Sequence, residues 1–297
     1  MKHLILLFCS LLLPAFTHAQ LVRPVQEDSV RMVVIETVDG NEFFGKVLED
    51  TPDAILLETT TLGQVRIPKV SISVLKEGTK GRVVAGEYWH DSPHSTRYLF
   101  APTGYGLRKG EGYYNNSMVF LNQVSYGVSD NFSIGLSVIP FVVTNVLWIT
   151  PKVSIPLKKD YLNAGIGVLA GGVFTTFDEN FFLGLPYANL TLGSRNQNFT
   201  VGLGYGYGNG QWAQAPTLMI GSTARTGKKF AIVTENYFLG NTLDGPSTIL
   251  SLGGRFLGKR VALDAAITGF LGSGSDFFFF AWPWVSVTVP FRSSPDK

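Results

Sequence analysis

Hydrophobic and polar residues alternate along most of the chain after residue 95. In runs such as 132–138, 199–205 and 285–291, large apolar side chains occupy every second position, and Ser, Thr, Gly or Pro lie between them. A period of two residues is typical of β-strands whose faces meet different surroundings. Alternating runs separated by turn residues predict twelve strands, over residues 95–102, 113–128, 132–140, 144–157, 161–174, 180–193, 197–207, 215–224, 230–239, 246–257, 260–270 and 278–291.

Charge decides which face of these strands meets water. Only 15% of the residues are charged, against roughly a quarter in an average soluble domain. A soluble β-sandwich, the secreted binding-protein alternative, would need many more charges on its outer face. Most runs also reach the about 9–11 residues with which a tilted strand crosses a bilayer. We therefore predict an all-β fold, an antiparallel transmembrane β-barrel of about twelve strands preceded by a small β domain.

The connections between the predicted strands differ in length. Short turns at 129–131, 158–160, 195–196, 225–229 and 258–259 alternate with mostly longer loops at 103–112, 175–179, 208–213, 240–245 and 272–277. Basic residues concentrate near the short turns and acidic residues in the long loops. Outer-membrane barrels have short periplasmic turns and long external loops. A transmembrane helix over 134–151, which has no charge, is disfavoured by Pro140, Pro151 and many β-branched residues.

Aromatic residues gather near the ends of the predicted strands. Rings that are apolar with a polar edge favour the membrane–water interface, so we expect an aromatic girdle. Its predicted members are Tyr113, Tyr114, Trp148, Trp212, Tyr237, Trp282 and Trp284.

The first nineteen residues have the pattern of a secretory signal. A short basic start is followed by an apolar run that is too short to span a bilayer, and small residues precede a predicted cleavage between Ala19 and Gln20. Cys9, the only cysteine of the chain, lies inside this signal. The mature chain therefore has no thiol, which excludes disulfides, zinc–thiolate sites and cysteine catalysis.

Residues 20–80 predict a small domain of short β-strands bounded by Gly, Asp, Asn and Pro. The glycines and apolar residues at 39–40, 45–47, 55–57 and 63–68 resemble the Sm-like/SH3-like small β-barrels. Residues 21–92 hold 8 Lys/Arg and 12 Asp/Glu, a net charge of 8 − 12 = −4. An acidic module does not suit nucleic acid. We expect a periplasmic docking domain with a protein or cell-wall partner, a linker over 81–94, a barrel over 95–292 and a tail over 293–297.

Two segments of the barrel region resemble outer-membrane β-barrel proteins of Gram-negative bacteria. They are residues 126–132 and the last strand, which alternates from Trp284 and ends at Phe291. The resemblance implies outer-membrane lipid as the surroundings of the barrel and recognition of Phe291 by the outer-membrane insertion machinery. It also implies that the N-terminal module lies in the periplasm.

Few residues of the sequence are candidates for catalysis or for metal binding. His90 and His94 are spaced as two metal ligands on a helix could be, but Pro93 disfavours a helix, and a solvated linker is the preferred interpretation. No histidine follows His94, and no phosphate loop, dinucleotide motif or calcium loop is present. We therefore expect no catalytic residue and no cofactor. The predicted function is a narrow passive channel or a structural membrane protein; a lipid-directed enzyme with its catalytic group in a long loop is the alternative.

Five charged residues fall within the predicted strands. A hairpin at 258–259 would place Arg255 opposite Ala262 and diagonal to Asp264. A buried ionic cluster that plugs the barrel is the preferred interpretation, because opposite charges close together neutralise each other. A charged constriction that selects solutes is the alternative. The five residues are Arg97, Lys152, Glu235, Arg255 and Asp264.

Overall fold

The structure is a computed structural model of the whole chain. It describes residues 31–59, 61–77, 81–84, 87–90, 92, 94–139, 146–159, 161–174, 181–242, 245–258, 261–273 and 277–292. The contacts divide the chain into two units, with the boundary between Tyr88 and Trp89. The predicted signal peptide with its cleavage position, and the predicted tail, lie outside the described residues.

The first unit is a five-stranded antiparallel sheet with the strand order β4-β3-β2-β1-β5. Alternation buries five aliphatic side chains on one face, among them Ile35, Ile55 and Leu57. A 3-10 turn at Lys69–Ser71 precedes the last strand. The strands are β1 (Met32–Thr37), β2 (Glu42–Asp50), β3 (Ala54–Thr59), β4 (Gly63–Pro68) and β5 (Ile72–Glu77).

A short hairpin follows where the sequence predicted a linker. Its strands are β6 (Gly81–Val84) and β7 (Glu87–His90), which form a two-stranded sheet. The sequence predicts a linker over 81–94 and no strands within it, and the hairpin lies in this range. Four-residue strands are too short for alternation to distinguish them from a loop.

The second unit is a closed antiparallel β-barrel. Each wall strand pairs with the next along the chain, and β22 pairs with β8, from Ser286 opposite Ser117 to Arg292 opposite Glu111. The wall consists of β8 (Glu111–Ser117), β9 (Leu121–Gly127), β10 (Phe132–Val138), β11 (Val146–Ile149) continued by β12 (Lys152–Lys158), β13 (Leu162–Val173), β14 (Phe181–Gly193), β15 (Gln197–Gly204), β18 (Thr217–Gly227), β19 (Phe230–Thr242), β20 (Gly245–Leu257), β21 (Ala262–Ser273) and β22 (Phe277–Arg292).

The wall has twelve strands because β11 and β12 count as one. Both pair with β10 on one side and β13 on the other, and they are separated only by Thr150 and Pro151. After β15, a small hairpin of β16 (Tyr207–Gly208) and β17 (Gln211–Trp212) pairs through β16 with the first part of β14. The predicted strand number is confirmed.

Two of the twelve predicted strands are nevertheless wrong, and the two errors cancel in the number of strands. The run 113–128 is two strands, β8 and β9, joined by a turn in which Met118 and Val119 have φ of 54° and 67°. Such backbone is rare for residues other than Gly, Asn and Asp, so the turn carries no recognisable sequence signal. The run 95–102 lies inside the barrel and not in its wall.

The faces of the wall strands follow the predicted arrangement. Along β10, Ile134 and Leu136 are 41% and 49% exposed, whereas Ser133 and Ser137 are 9% and 3% exposed. Ser, Thr and Asn side chains occupy the inner positions of most other wall strands in the same way. A soluble sandwich would bury the apolar face instead, so this alternative is excluded. Among the described residues, no helix is long and apolar enough to cross a membrane.

The two ends of the barrel are defined by its turns. We call the end with the turns at 129–131, 159–161, 194–196, 228–229 and 258–261 the short-turn end, and the opposite end the far end. The prediction that 103–112 is a long loop at the far end is wrong. The backbone N–H of Lys109 donates to Asp130 at 3.0 Å in a short turn, and β8 starts at Glu111. Residues 175–179, 243–244 and 274–276 of three other predicted loops lie outside the described residues.

Candidate functional site: a plug in the barrel lumen

Residues 94–107 fold into the barrel from the short-turn end, and we call them the plug. The backbone N–H of Tyr98 donates to the Ala101 carbonyl at 2.9 Å, and that of Thr103 donates to the Thr96 carbonyl at 3.0 Å. The plug is thus a tight loop with its tip at residues 99–100. Tyr98 and Thr103 have no exposed surface. The sequence predicts a strand here because residues 95–102 have strand-like composition, and composition does not reveal which side of the wall they occupy.

Arg255 joins the wall to the plug. Its Nε and Nη2 lie 2.6 and 3.1 Å from the two carboxylate oxygens of Asp264, a bidentate pair. The same guanidinium donates to the carbonyls of His94 at 3.1 Å and Tyr98 at 2.6 Å. Ser286 donates to Asp264 at 2.8 Å. Because Asp264 balances the charge, Arg255 can be buried and still donate to the plug backbone.

The pairing of Arg255 with Asp264 is direct. The structure places Asp264 opposite Arg255 in the ladder between β20 and β21, whereas the sequence predicts Ala262 at this position. The difference arises because Leu257 pairs with Ala262, so the hairpin turn is longer than residues 258–259.

Arg97 lies in the plug and not in the wall. Its Nη1 donates to the carbonyls of Tyr98 at 3.0 Å and Leu99 at 2.6 Å, and its Nη2 donates to Thr288 at 2.5 Å. The same Nη1 is 3.8 Å from Asp264. One wall carboxylate therefore lies between two guanidiniums, one from the wall and one from the plug.

Lys152 holds both arms of the plug. Its ammonium donates to the carbonyls of Thr96 at 3.4 Å, Thr103 at 2.8 Å and Tyr105 at 2.5 Å. An ammonium has three protons, and three acceptors lie within reach. Lys152 is 6% exposed, so these carbonyls replace the water that a buried cation loses.

Glu235 binds the tip of the plug. One of its oxygens accepts the backbone N–H groups of Phe100 at 2.8 Å and Ala101 at 2.9 Å. The other oxygen accepts the Tyr237 hydroxyl at 2.9 Å. The structure thus brings all five sequence-predicted charged residues together around the plug.

Neutral contacts that the sequence analysis did not identify complete the packing. The Tyr98 hydroxyl donates to Asn198 at 2.8 Å and lies 2.7 Å from the Thr200 hydroxyl. Gly221 has no side chain where the ring of Tyr98 lies, and a Cβ there would collide with that ring. These residues occupy inward positions of regularly alternating strands. Alternation identifies the face on which a side chain lies, but it does not identify the residue that the side chain contacts.

The second arm of the plug is held by wall side chains of β14. The backbone N–H of Gly104 donates to Thr191 at 2.6 Å, and the Asn189 amide donates to the Pro102 carbonyl at 2.8 Å. Gly104 approaches the β13 backbone so closely that a Cβ would collide with the carbonyl of Asn163.

His94 is enclosed at the base of the plug. It is 3% exposed, so the interpretation of this residue as part of a solvated linker is wrong. Burial, and then the positive charges of Arg255 and Arg97, lower the pKa of His94 to about 3. No group of three potential metal ligands occurs among the described residues. His90 ends β7, and Asp91 lies outside the described residues.

The predicted aromatic girdle is only partly present. Tyr114 and Trp212 are exposed, at 39% and 57%. Tyr113 is the neighbour of Tyr114 in β8 and therefore faces the interior, where the Arg97 guanidinium lies 5.5 Å from its ring centre. Alternation places adjacent strand residues on opposite faces, so both could not belong to one girdle.

Other predicted girdle residues are also directed inward. Tyr237 contacts Glu235 in the lumen, and Trp284 packs against the buried cluster that contains Tyr98. Trp148 alternates with the exposed Leu147 and Ile149, so it faces inward. Trp282 has the parity of Trp284 and is half-buried. The clustering of aromatic residues near strand ends therefore does not identify the rings that face outward. The position of each residue in the inward–outward alternation of its strand does.

A cavity of about 120 Å³ remains between the plug and the far end. Its lining includes the tip residue Phe100 and, from the far-end part of the wall, Gln123 and Ser137. The lining also includes Leu107 and Ser133, so part of this space lies beside the plug.

Comparison with known proteins gives likeness at the level of the barrel. No family model and no curated protein matches this chain. The chain is similar to the NanC porin, with 11% identity over 60% of this chain and 98% of that chain and a TM-score of 0.41. It is also similar to OmpT of Vibrio cholerae, with 11% identity over 90% and 99% and a TM-score of 0.36. The CymD monoaromatic hydrocarbon channel gives 10% identity over 89% and 87% and a TM-score of 0.38.

Proposed function

We propose that this chain is a non-enzymatic outer-membrane protein whose barrel is closed by its own plug and carries the N-terminal module on the periplasmic side. The observation that supports closure best is the set of buried charges that bind the plug backbone. Arg255, Lys152 and Glu235 together engage eight of its backbone groups within 3.5 Å, counting the Arg97 carbonyl. A solute cannot pass the short-turn half while these contacts persist.

The outward apolar face supports placement in the outer membrane. Apolar side chains that are exposed on a closed barrel have acyl chains as their natural surroundings. Both ends of the wall, at the start of β8 and the end of β22, lie at the short-turn end, which supports a periplasmic first unit. Outer-membrane lipid and the insertion machinery are the proposed partners, the latter through Phe291, which is 42% exposed near the end of β22.

The first unit is proposed to be an Sm-like/SH3-like docking module. The strand order β4-β3-β2-β1-β5 and the 3-10 turn at Lys69–Ser71 support this assignment. The acidic composition of residues 21–92 favours a periplasmic protein or cell-wall partner over nucleic acid.

A narrow passive channel for small solutes is the second candidate function. The cavity favours it, because the space between Phe100 and the wall residues Gln123 and Ser137 is not filled by side chains. Displacement of the plug would then connect the two sides of the membrane.

Replacement of Gly221 tests the closed-barrel proposal. The Leu side chain of Gly221→Leu would occupy the position of the Tyr98 ring and displace the plug, whereas the wall can remain intact. Gly227→Leu is the matched control on the same strand, because a Cβ at Gly227 meets nothing within 4 Å. Both proteins are compared with the wild type in planar lipid bilayers.

We expect no steady conductance from the wild type or from Gly227→Leu, and discrete conducting events from Gly221→Leu. Steady wild-type conductance equal to that of Gly221→Leu would contradict closure and favour the passive channel. Absence of conductance in all three proteins would show that the plug does not control passage through the lumen.

A further inference from the structure

The inner face of the wall becomes apolar toward the far end. Residues that pair across a ladder lie on the same face of the sheet. Tyr237 contacts Glu235 in the lumen, so the residues that pair with it in succession also face inward. They form an inner row across β19, β20, β21 and β22, which consists of Tyr237, Ile249, Phe270 and Phe280. Inner faces of outer-membrane barrels are ordinarily polar, so a row of three aromatic rings and one aliphatic side chain is unusual.

The plug does not cover the whole of this inner row. Around the plug, the inward residues Arg255, Asp264 and Ser286 are at most 3% exposed. Phe280 also faces inward, yet it is 54% exposed. Its ring stacks on the ring of Trp282, the preceding inward position toward the plug, with 5.6 Å between the ring centres. Exposed apolar surface of this kind is typical of a binding site for an apolar ligand or of a membrane contact.

The wall is low at the hairpin of β8 and β9. Each of these strands has seven residues, whereas a tilted strand needs about 9–11 residues to cross the hydrocarbon of a bilayer. The ladder between β8 and β22 ends where Ser117 pairs with Ser286, and β22 begins nine residues earlier, at Phe277. The turn of this hairpin therefore lies at the depth of acyl chains.

The residues at this turn fit that depth. Val119 and Phe120 are 69% and 53% exposed, whereas turns in water are rich in Gly, Asn, Asp and Pro. The Val285 carbonyl of β22 accepts the N–H of Met118 at 2.8 Å. The backbone of Pro283, two residues before Val285, is directed to the same side and has no N–H to leave unpaired. The inner row reaches this part of β22, so the apolar outer surface continues over the turn to the inner row.

From this continuity we propose that the far half of the barrel binds an acyl chain of a membrane lipid, which lies across the turn between β8 and β9 and against the inner row. Acyl chains surround the wall on its outer side, so the occupant is at hand. No Lys or Arg lies in the far half of the described barrel, so the chain and not the headgroup is recognised. The inference uses the exposure of the outer face to lipid, and it does not depend on closure by the plug.

The test places the photoreactive residue benzoylphenylalanine at single positions of a protein that begins at Gln20, in vesicles of dioleoylphosphatidylcholine. Ile249 is the inner position, because β20 is paired on both sides there and offers no free edge around which the label could reach the outer lipid. Ile267, which is 61% exposed on the outer face, is the lipid reference. Leu62, which is 64% exposed in the first unit, is the water reference. Mass spectrometry after irradiation identifies each adduct.

We expect adducts with the mass of one phosphatidylcholine at positions 249 and 267 and none at position 62. Phe120→Ser removes the largest apolar side chain of the turn and should lower the yield at position 249 at least about fivefold. Phe279→Ser is the matched control, because it removes the same ring from an outer position that is 59% exposed. It should leave the yield at position 249 unchanged.

If the protein labelled at position 249 does not fold, as judged by the shift of an unboiled sample on a denaturing gel, Leu185 carries the label instead, because it lines the cavity from β14. A lipid adduct at position 267 without one at the inner position overturns the inference and leaves the exposure of the outer face to lipid intact. A crosslink from the inner position to the protein itself also overturns it. Equal inner yields with and without Phe120→Ser overturn it as well, because the chain would then not lie across the turn.

Discussion

The buried ionic side chains are each matched by specific partners. Asp264 lies between two guanidiniums, Lys152 meets three carbonyls, and Glu235 meets two N–H groups of the plug. The sequence could predict that the five residues are inward, because alternation assigns the face. It could not predict that Arg97 belongs to a plug, since contacts of a loop with a wall are not periodic.

The buried His94 should make the free energy of unfolding depend on pH. Its pKa is about 3 in the folded protein and about 6.5 in an unfolded chain. The unfolded chain therefore binds more protons between these values, and stability is lost as the pH falls below about 6.5. The loss from this residue is about 2 kcal/mol between pH 7 and pH 5.

The variant His94→Gln removes this titration. We expect its free energy of unfolding to fall less than that of the wild type between pH 7 and pH 5, as measured by urea denaturation in micelles. Identical pH dependence of the two proteins would contradict the burial of a neutral His94.

At the scale of elements, alternation predicts most wall strands, but it does not predict the plug or the turn between β8 and β9. Ten predicted runs correspond to wall strands, because the lipid and the lumen impose a strict period of two on them. The run 95–102 has similar composition, yet its single ladder contact is the bridge between Arg97 and Pro102. The sequence does not predict the turn at Met118, because no Gly, Pro or Asn occupies it.

Gly45 gives a prediction for the five-stranded sheet of the first unit. A Cβ at this position of β2 would lie 2.5 Å from the backbone oxygen of Glu58 in β3. Gly45→Ala should therefore force the strands apart and destabilise the first unit by about 1–3 kcal/mol. Hydrogen–deuterium exchange should rise across residues 31–77 and stay unchanged in the barrel. The control Leu48→Ala, at an exposed position of β2, should leave exchange at the wild-type rate; a normal rate in Gly45→Ala would show that the sheet tolerates the side chain.

At the scale of the whole molecule, the barrel has an apolar outer surface and, around the plug, a polar inner one. The low charge of the sequence predicts this inversion, because a water-exposed wall needs charged residues. Sequence does not reveal what occupies the lumen. Occupancy depends on the close approaches of Gly104 and Gly221 to neighbouring chain segments, which involve residues far apart in the sequence.

Exposure of the apolar face to lipid is the central claim, and a nitroxide scan of β10 tests it most directly. Cys9, in the predicted signal peptide, is the only cysteine of the sequence, so a protein that begins at Gln20 can carry one label at each position from Phe132 to Val138 in lipid bilayers. We predict high oxygen accessibility at Phe132, Ile134, Leu136 and Val138 and low accessibility at the three positions between them. Uniform accessibility along the strand, or preferential access of a water-soluble nickel reagent at the four apolar positions, would contradict the claim.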